Sequence, residues 1–329
     1  MLVYWYFVLL ALLRLIISFI RARWHLRFKL MRDINLDGKE LFSEKELSRV
    51  QHYFLGTSYL STVFCCLIGR RRSSKELYLF SNLSALASFF DDLVDIRSKQ
   101  SIAPNEKPED PVSFGRLMDH RGLSQQLLNK TLHKLPSGNL SDFKVCMERV
   151  YAAEMDLKFS SDNLVINNII KNTMEKGANS VLLFRFILEP RPGREERQAI
   201  LEFGSLVQLS DDIFDVWFDQ RAGAVTAATF YVANGNLDAL VQLFEAQIAR
   251  TQQAFQEIPI SKWRIKGALS LVYFLIAITR VCLRRYQEAG ARHGAMPILD
   301  RKKMVVDMSG LANQLLAARL LFFNRSERI

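Results

Sequence analysis

Residues 203–223, FGSLVQLSDDIFDVWFDQRAG, place the tightest limit on how this chain folds. On a helix each residue advances by about 100°. Asp211, Asp215 and Asp219 then fall on one slowly drifting stripe together with Gly204 and Gln208. Phe203, Leu206, Leu209, Ile213, Phe214, Val216 and Phe218 cover the other faces. A helix that is apolar around most of its girth is buried, so its acidic stripe is not a solvated face. Buried carboxylates require partners, and no lysine alternates with these. Metal cations are the natural partner, and oxygen-only ligands select hard ions. Mg²⁺ takes one or two carboxylates per ion, completed by waters and phosphate oxygens.

A second acidic string, SFFDDLVDIR at residues 88–97, follows a long apolar lead-in through Leu83, Leu86 and Ala87. On a helix Asp91 and Asp95 lie about 40° apart, and Asp92 about 100° from Asp91. Carboxylates at i and i+4 repel unless a cation lies between them. Alone, such a string reads as a hydrated helix end. Set against 203–223, it becomes one jaw of a clamp in which Mg²⁺ bridges aspartates to a diphosphate. Neutralising that leaving group lowers the barrier to breaking the adjacent C–O bond. Asp91, Asp92, Asp95, Asp211, Asp215 and Asp219 are thus the candidate metal ligands and catalytic residues. Tyr53, Tyr59, Phe89, Phe90, Phe184 and Trp217 are candidates for an apolar wall whose ring faces stabilise a cation.

Long stretches run apolar at i, i+3, i+4 and i+7, Gly (15) and Pro (8) are sparse, and no alternating β tract is evident. The expected fold is therefore all-α, a single-domain helical bundle. Helices are expected near 2–30, 45–68, 74–98, 122–133, 139–160, 163–188, 194–220, 236–257, 262–287 and 302–323, with a surface loop at 99–112 and a sharp break at EPRPGREE, 189–196. No internal repeat points to a solenoid. Cys65, Cys66, Cys146 and Cys282 read as reduced thiols of a cytoplasmic protein. The five histidines show no ligand spacing.

Residues 1–20 are apolar except for Arg14, and RARWHLRFK follows. Residues 1–32 therefore read as a hydrophobic and basic N-terminal helix ahead of a domain at 33–329. It either crosses a bilayer, lies in the interface of a membrane's inner face, or packs on the domain; the span most concerned is 1–29. The net charge of +10 suits an anionic partner. Neither zinc-finger spacing nor aromatic–basic interleaving occurs, which argues against nucleic acid. Oligomeric state is not legible.

The two acidic motifs resemble those of the class I isoprenoid synthase superfamily. Asp91, Asp92 and Asp95 match its first aspartate-rich motif. GSLVQLSDDIFD resembles the G-x-x-F-Q-x-x-D-D-x-x-D pattern of trans-prenyl diphosphate synthases, with Val207 in the Phe place. It also resembles the second motif of squalene and phytoene synthases, with Gln208 at the motif glutamine, Asp215 and Asp219 at its aspartates, and Gly223 at the following glycine. YAAEMDL (151–157) and KGANSVLLF (176–184) resemble that branch's middle helices. The resemblance implies the isoprenoid synthase bundle with a central apolar cavity, a prenyl diphosphate substrate, and three Mg²⁺ ions with bound diphosphate. It places Lys176 and Asn179 on a helix facing the site, with Arg221 reaching the diphosphate from the end of the acidic helix. Arg285 and Tyr286 resemble the Arg-Tyr pair of terpene cyclases. Where head-to-head synthases carry an arginine, Ser88, Phe89 and Phe90 stand here, and their Gly-Arg-x-Tyr is replaced by Gly223, Ala224, Val225 and Thr226. The expected activity is therefore that of a terpene synthase using one farnesyl- or geranylgeranyl-class diphosphate, with release of diphosphate. The alternatives are squalene/phytoene-type condensation or another prenyl transfer, and a non-catalytic membrane-associated helical protein.

Overall fold

In the computed structural model, residues 2–25, 44–99, 123–159, 166–293, 301–308 and 310–323 are described. The helices among them are α1 (Leu2–His25), α2 (Glu44–Ile68), α3 (Ser74–Lys99), α4 (Leu123–Lys134), α5 (Leu140–Phe159), α6 (Ile166–Arg185), α7 (Arg194–Phe214), α8 (Val216–Ala222), α9 (Ala227–Ala233), α10 (Leu237–Gln256), α11 (Lys262–His293), α12 (Arg301–Met304) and α13 (Leu311–Phe323). The chain is all-helical, and most element bounds follow the apolar periodicity. Three differences are local. The acidic helix is interrupted at Asp215, whose φ of −99° and ψ of 8° leave the helical region between α7 and α8. The short α9 fills a stretch expected as irregular and is held by a Thr226–Thr229 capping box. The last expected helix is split into α12 and α13.

The most intimate packing is between α6 and α7. It rests on two glycines. A Cβ at Gly177 would stand 2.6 Å from the Gly204 carbonyl oxygen, and a Cβ at Gly204 would stand 2.5 Å from the Gly177 carbonyl oxygen and 2.7 Å from Ala178 Cα. Only a missing side chain on both helices permits backbones to approach this closely. The apolar face of α7 (Ile200, Phe203, Leu206, Leu209, Ile213) is wholly buried.

A buried arginine fixes the turn between these helices. Arg185 is 0% exposed. Its Nε donates to Glu196 Oε1 at 2.7 Å, Nη1 to the Leu188 carbonyl at 2.9 Å and Nη2 to the Pro190 carbonyl at 2.9 Å. From the turn before α5, Asn139 Nδ2 donates to the carbonyls of Phe186 and Leu188 at 2.8 and 3.2 Å. The carbonyls that the end of α6 leaves over are thereby satisfied, and a buried charge gains the partner and hydrogen bonds it needs.

Around this pair, α5 and α10 flank α6 and α7, while α11 packs against α1, α2, α7, α10 and α13. Lys262–Gly290 is long and apolar enough to cross a bilayer, yet 72% of its apolar window is buried inside the protein, as suits a core helix. The N-terminal helix lies against α2 and α11 through Val8, Leu15 and Ser18. Cys66, Cys146 and Cys282 are buried and Cys65 half-buried, all as free thiols.

Gly204→Ala should lower the unfolding free energy by about 1–3 kcal/mol through overpacking against α6. Gly56→Ala, where a Cβ meets nothing within 4 Å in an exposed stretch of α2, should raise it by about 0.5–1 kcal/mol. Urea unfolding of the two variants checks the contrast.

Candidate active site

The glycine crossing brings Gly177 of α6 against Gln208 of α7, and Ala178 against Gly204. From there the acidic segment is built residue by residue. Gln208 Nε2 donates to Asp212 Oδ1 at 2.9 Å. Asp212 is 4% exposed, and its Oδ2 is buried with no hydrogen-bond partner. Asp211 and Asp215 are exposed, and Asp219 is half-buried. Lys176 Nζ lies 2.5 Å from Glu154 Oε2 of α5, a carboxylate 5% exposed. The charge of Lys176 acts in turn on both Asp212 and Asp219.

Crowding and burial show in the acidities. Burial pushes the Asp212 carboxyl up to about 8, with Asp211 and Asp219 adding repulsion and Gln208 and Lys176 opposing it. Asp219 is pushed up to about 7 by burial, then by Asp215 and Asp211. A carboxylate group raised in this way gains from any cation placed beside it.

Tyr286 is fully buried, and its hydroxyl donates to the Ile213 carbonyl at 2.8 Å, in the last turn before the break at Asp215. It anchors the acidic segment through the backbone. Arg285 instead turns to α13, with Nε and Nη2 on Asn313 Oδ1 at 2.9 and 2.8 Å, and Nη1 on Glu288 Oε2 at 2.8 Å. Arg221 stacks over the Trp217 ring, 4.9 Å from its centroid. Asn179 is buried, donates from Nδ2 to the Glu175 carbonyl at 2.8 Å, and keeps Oδ1 without a partner. After α8, Gly223 adopts a φ of 71°, a conformation that favours glycine, and so closes the acidic segment.

Asp91, Asp92 and Asp95 lie on the C-terminal part of α3; their side chains, and that of Phe89, fall outside the described residues. The backbone still fixes which end of the bundle they occupy. Arg70, just before α3, donates to the carbonyl of Glu189, just before α7, at 2.5 Å. Both helices therefore start at the same end. Asp91 and Asp211 each follow the first residue of their helix by 17 positions, or about 25 Å of helix. Near the far end Phe90 is buried against Tyr151, ring centroids 6.1 Å apart. Glu154, which holds Lys176, is one turn along α5 from Tyr151. Phe90 thus touches α5 one turn from Glu154, the partner of Lys176, whose charge acts on Asp212 and Asp219.

Among the described residues no three histidine, cysteine or acidic side chains stand together as a finished ligand set. Asp211, Asp215 and Asp219 share a segment whose backbone bonds continue across Asp215, with Asp215 N–H on the Asp211 carbonyl and Asp219 N–H on the Asp215 carbonyl at 2.9 Å each. The donor set nevertheless fits a hard divalent cation. Every available group is an oxygen, and Asp212 Oδ2 and Asn179 Oδ1 are buried acceptors without partners. Sequence reasoning missed Asp212 and Glu154. The first was legible, since Asp212 lies at i+4 from Gln208 and hence on the same face. For the second, a lone glutamate on a helix distant in sequence carries no local signal.

Two cavities outlined by the described residues are lined by other segments: one by α1, the end of α2 and the start of α11, the other by the segments preceding α3, α5 and α7. The expected central apolar cavity is not among them.

The unfolded Asp212 carboxyl titrates near its ordinary value of 3.8, whereas the folded one keeps its proton to about 8. Between these values the folded chain binds more protons, so its stability falls as pH rises. Metal-free protein should melt at progressively lower temperature from pH 5 to pH 8, and Asp212→Asn should flatten that slope.

No protein-family model matches the chain, and no curated protein matches it. Among solved structures, a UbiA homolog from Archaeoglobus fulgidus bound to GPP and Mg²⁺ aligns at 11% identity, covering 84% of this chain and 97% of that one, with a TM-score of 0.46. A likeness at that level carries no argument about this chain.

Proposed function

We propose that the chain is a Mg²⁺-dependent enzyme that ionises a prenyl diphosphate. The observation that supports this most is the buried Asp212 carboxyl, whose Oδ2 has no hydrogen-bond partner, at the bundle end toward which the Asp91 segment also runs. Two acidic segments toward one end of a predominantly apolar bundle would suit a ligand with a polyanionic head and a hydrocarbon tail.

Asp91, Asp92, Asp95, Asp212, Asp215 and Asp219 would hold the metal. When bound, Mg²⁺ neutralises the diphosphate and stabilises it as a leaving group. Gln208 fixes the Asp212 carboxyl, and Tyr286 fixes the backbone from which Asp215 and Asp219 project. Lys176, steadied by Glu154, adds positive potential beside the same oxygens. Phe90 and Tyr151 supply apolar surface next to the first motif, which limits water at a forming carbocation.

Within that reading the finer activity is that of a terpene synthase acting on a single diphosphate. Phe89 and Phe90 support it, since they stand where a second diphosphate's arginine would be needed.

Incubation of the full chain with farnesyl or geranylgeranyl diphosphate and Mg²⁺ should release diphosphate and yield a hydrocarbon or alcohol of unchanged carbon number, read by mass spectrometry. A doubled or elongated skeleton would replace cyclisation with prenyl transfer. Asp91→Asn and Asp215→Asn should each slow diphosphate release about a hundredfold or more. Unchanged rates in both would remove the metal clamp.

A further inference from the structure

The end of the bundle opposite the acidic segments carries a cavity of about 460 Å³ between α1, the end of α2 and the start of α11. Arg14, Arg21, Arg70, Arg71, Arg72 and Arg264 line it, and no carboxylate is among the lining residues described. Two of the six are committed to the fold. Arg70 pairs with Glu76 at 2.5 Å, and Arg264 donates to the Ile68 carbonyl.

The other four have no carboxylate partner among the described residues. Arg14 donates to the Cys66 thiol at 3.7 Å. Arg72 donates from Nη2 to Ser18 Oγ at 2.8 Å, while its Nη1 is buried without a partner. Burial, with the nearby charge of Arg21, pushes the Arg72 guanidinium down to about 10. A concave cluster of like charges with an unused fork donor is suited to a phosphate oxyanion.

Beside this cavity α1 exposes an apolar stripe. Tyr6, Leu9, Leu13, Ile16, Ile20 and Trp24 are 53–64% exposed. At about 100° per residue they cover about a quarter of the helix, facing away from the Val8–Leu15 side that packs on the core. Arg14 and Arg21, seven residues apart, flank the stripe on the cavity side. Trp263, 62% exposed, lines the same cavity from α11. An apolar helical face of this size, flanked by arginines and an exposed tryptophan, has the chemistry of a helix lying in a bilayer interface.

We propose that this face of α1 and the arginine cavity form one docking surface for an anionic phospholipid bilayer. The stripe enters the boundary between headgroups and acyl chains with α1 in the membrane plane, and the cavity receives a lipid phosphate. Charge complementarity selects this occupant: a second copy of the chain, itself at +10, would bring like charge to the arginines.

Co-sedimentation of the full chain with vesicles tests it. Binding to mixed phosphatidylglycerol–phosphatidylcholine vesicles should exceed binding to pure phosphatidylcholine by about tenfold or more, and should weaken with salt. Leu13→Ser/Ile16→Ser and Arg21→Glu/Arg71→Glu change exposed residues, and each pair should reduce binding about tenfold while leaving the melting temperature unchanged. Absent binding, equal binding to both vesicle types, or binding indifferent to the arginine reversals would overturn the proposal. So would inorganic phosphate raising the melting temperature through Arg21 and Arg71 while vesicle binding ignores them, or a dimer in sedimentation velocity that the serine variants dissolve without loss of vesicle binding.

Discussion

The close crossing of Gly177 and Gly204 is the contact on which the acidic site depends. It lets α6 approach α7 at backbone distance, with Ala178 Cα and two carbonyls where side chains would otherwise stand. That approach sets Lys176 beside the carboxylates of the next turns and carries its Glu154 partner with it. The buried Arg185 and Asn139 secure the other end of the same hairpin by occupying its spare carbonyls. One close contact and one charged clamp together hold two helices rigidly enough to position a polar site on an apolar scaffold.

Charge is divided along the bundle. At one end α3 and α7 begin, and the arginine cavity opens beside α1. At the other end, about 25 Å along each helix, lie the two acidic segments. The carboxyls there are pushed toward neutrality by burial and by one another. A polyanion with its cations suits the acidic end, and a lone phosphate monoanion suits the arginine end. The net charge of +10 gave only the sum of these two opposed features.

Helix class and the α6–α7 break were legible because apolar periodicity and EPRPGREE are local signals. The acidic stripe was legible as a stripe, but not which of its carboxylates is buried. A regular helix ranks Asp211 with Asp215 and Asp219, whereas the structure buries Asp212, bonded to Gln208, and breaks the helix at Asp215. Burial depends on which neighbours arrive, and the Gly177 contact that brings them is long-range. Lys176, expected on the helix facing the site, is paired with Glu154, a residue distant in sequence that carries no local signal. Arg285 was read together with Tyr286, yet adjacent helical residues point about 100° apart: one turns to Asn313, the other to the Ile213 carbonyl.

The central claim is that the acidic end holds a divalent cation together with a diphosphate. Calorimetric titration of Mg²⁺ into the full chain, with and without inorganic pyrophosphate, tests it most directly. Mg²⁺ should bind saturably, more tightly when pyrophosphate is present, and this binding should be lost in Asp215→Asn. Pyrophosphate that leaves Mg²⁺ binding unchanged, or binding that survives Asp215→Asn intact, would contradict it.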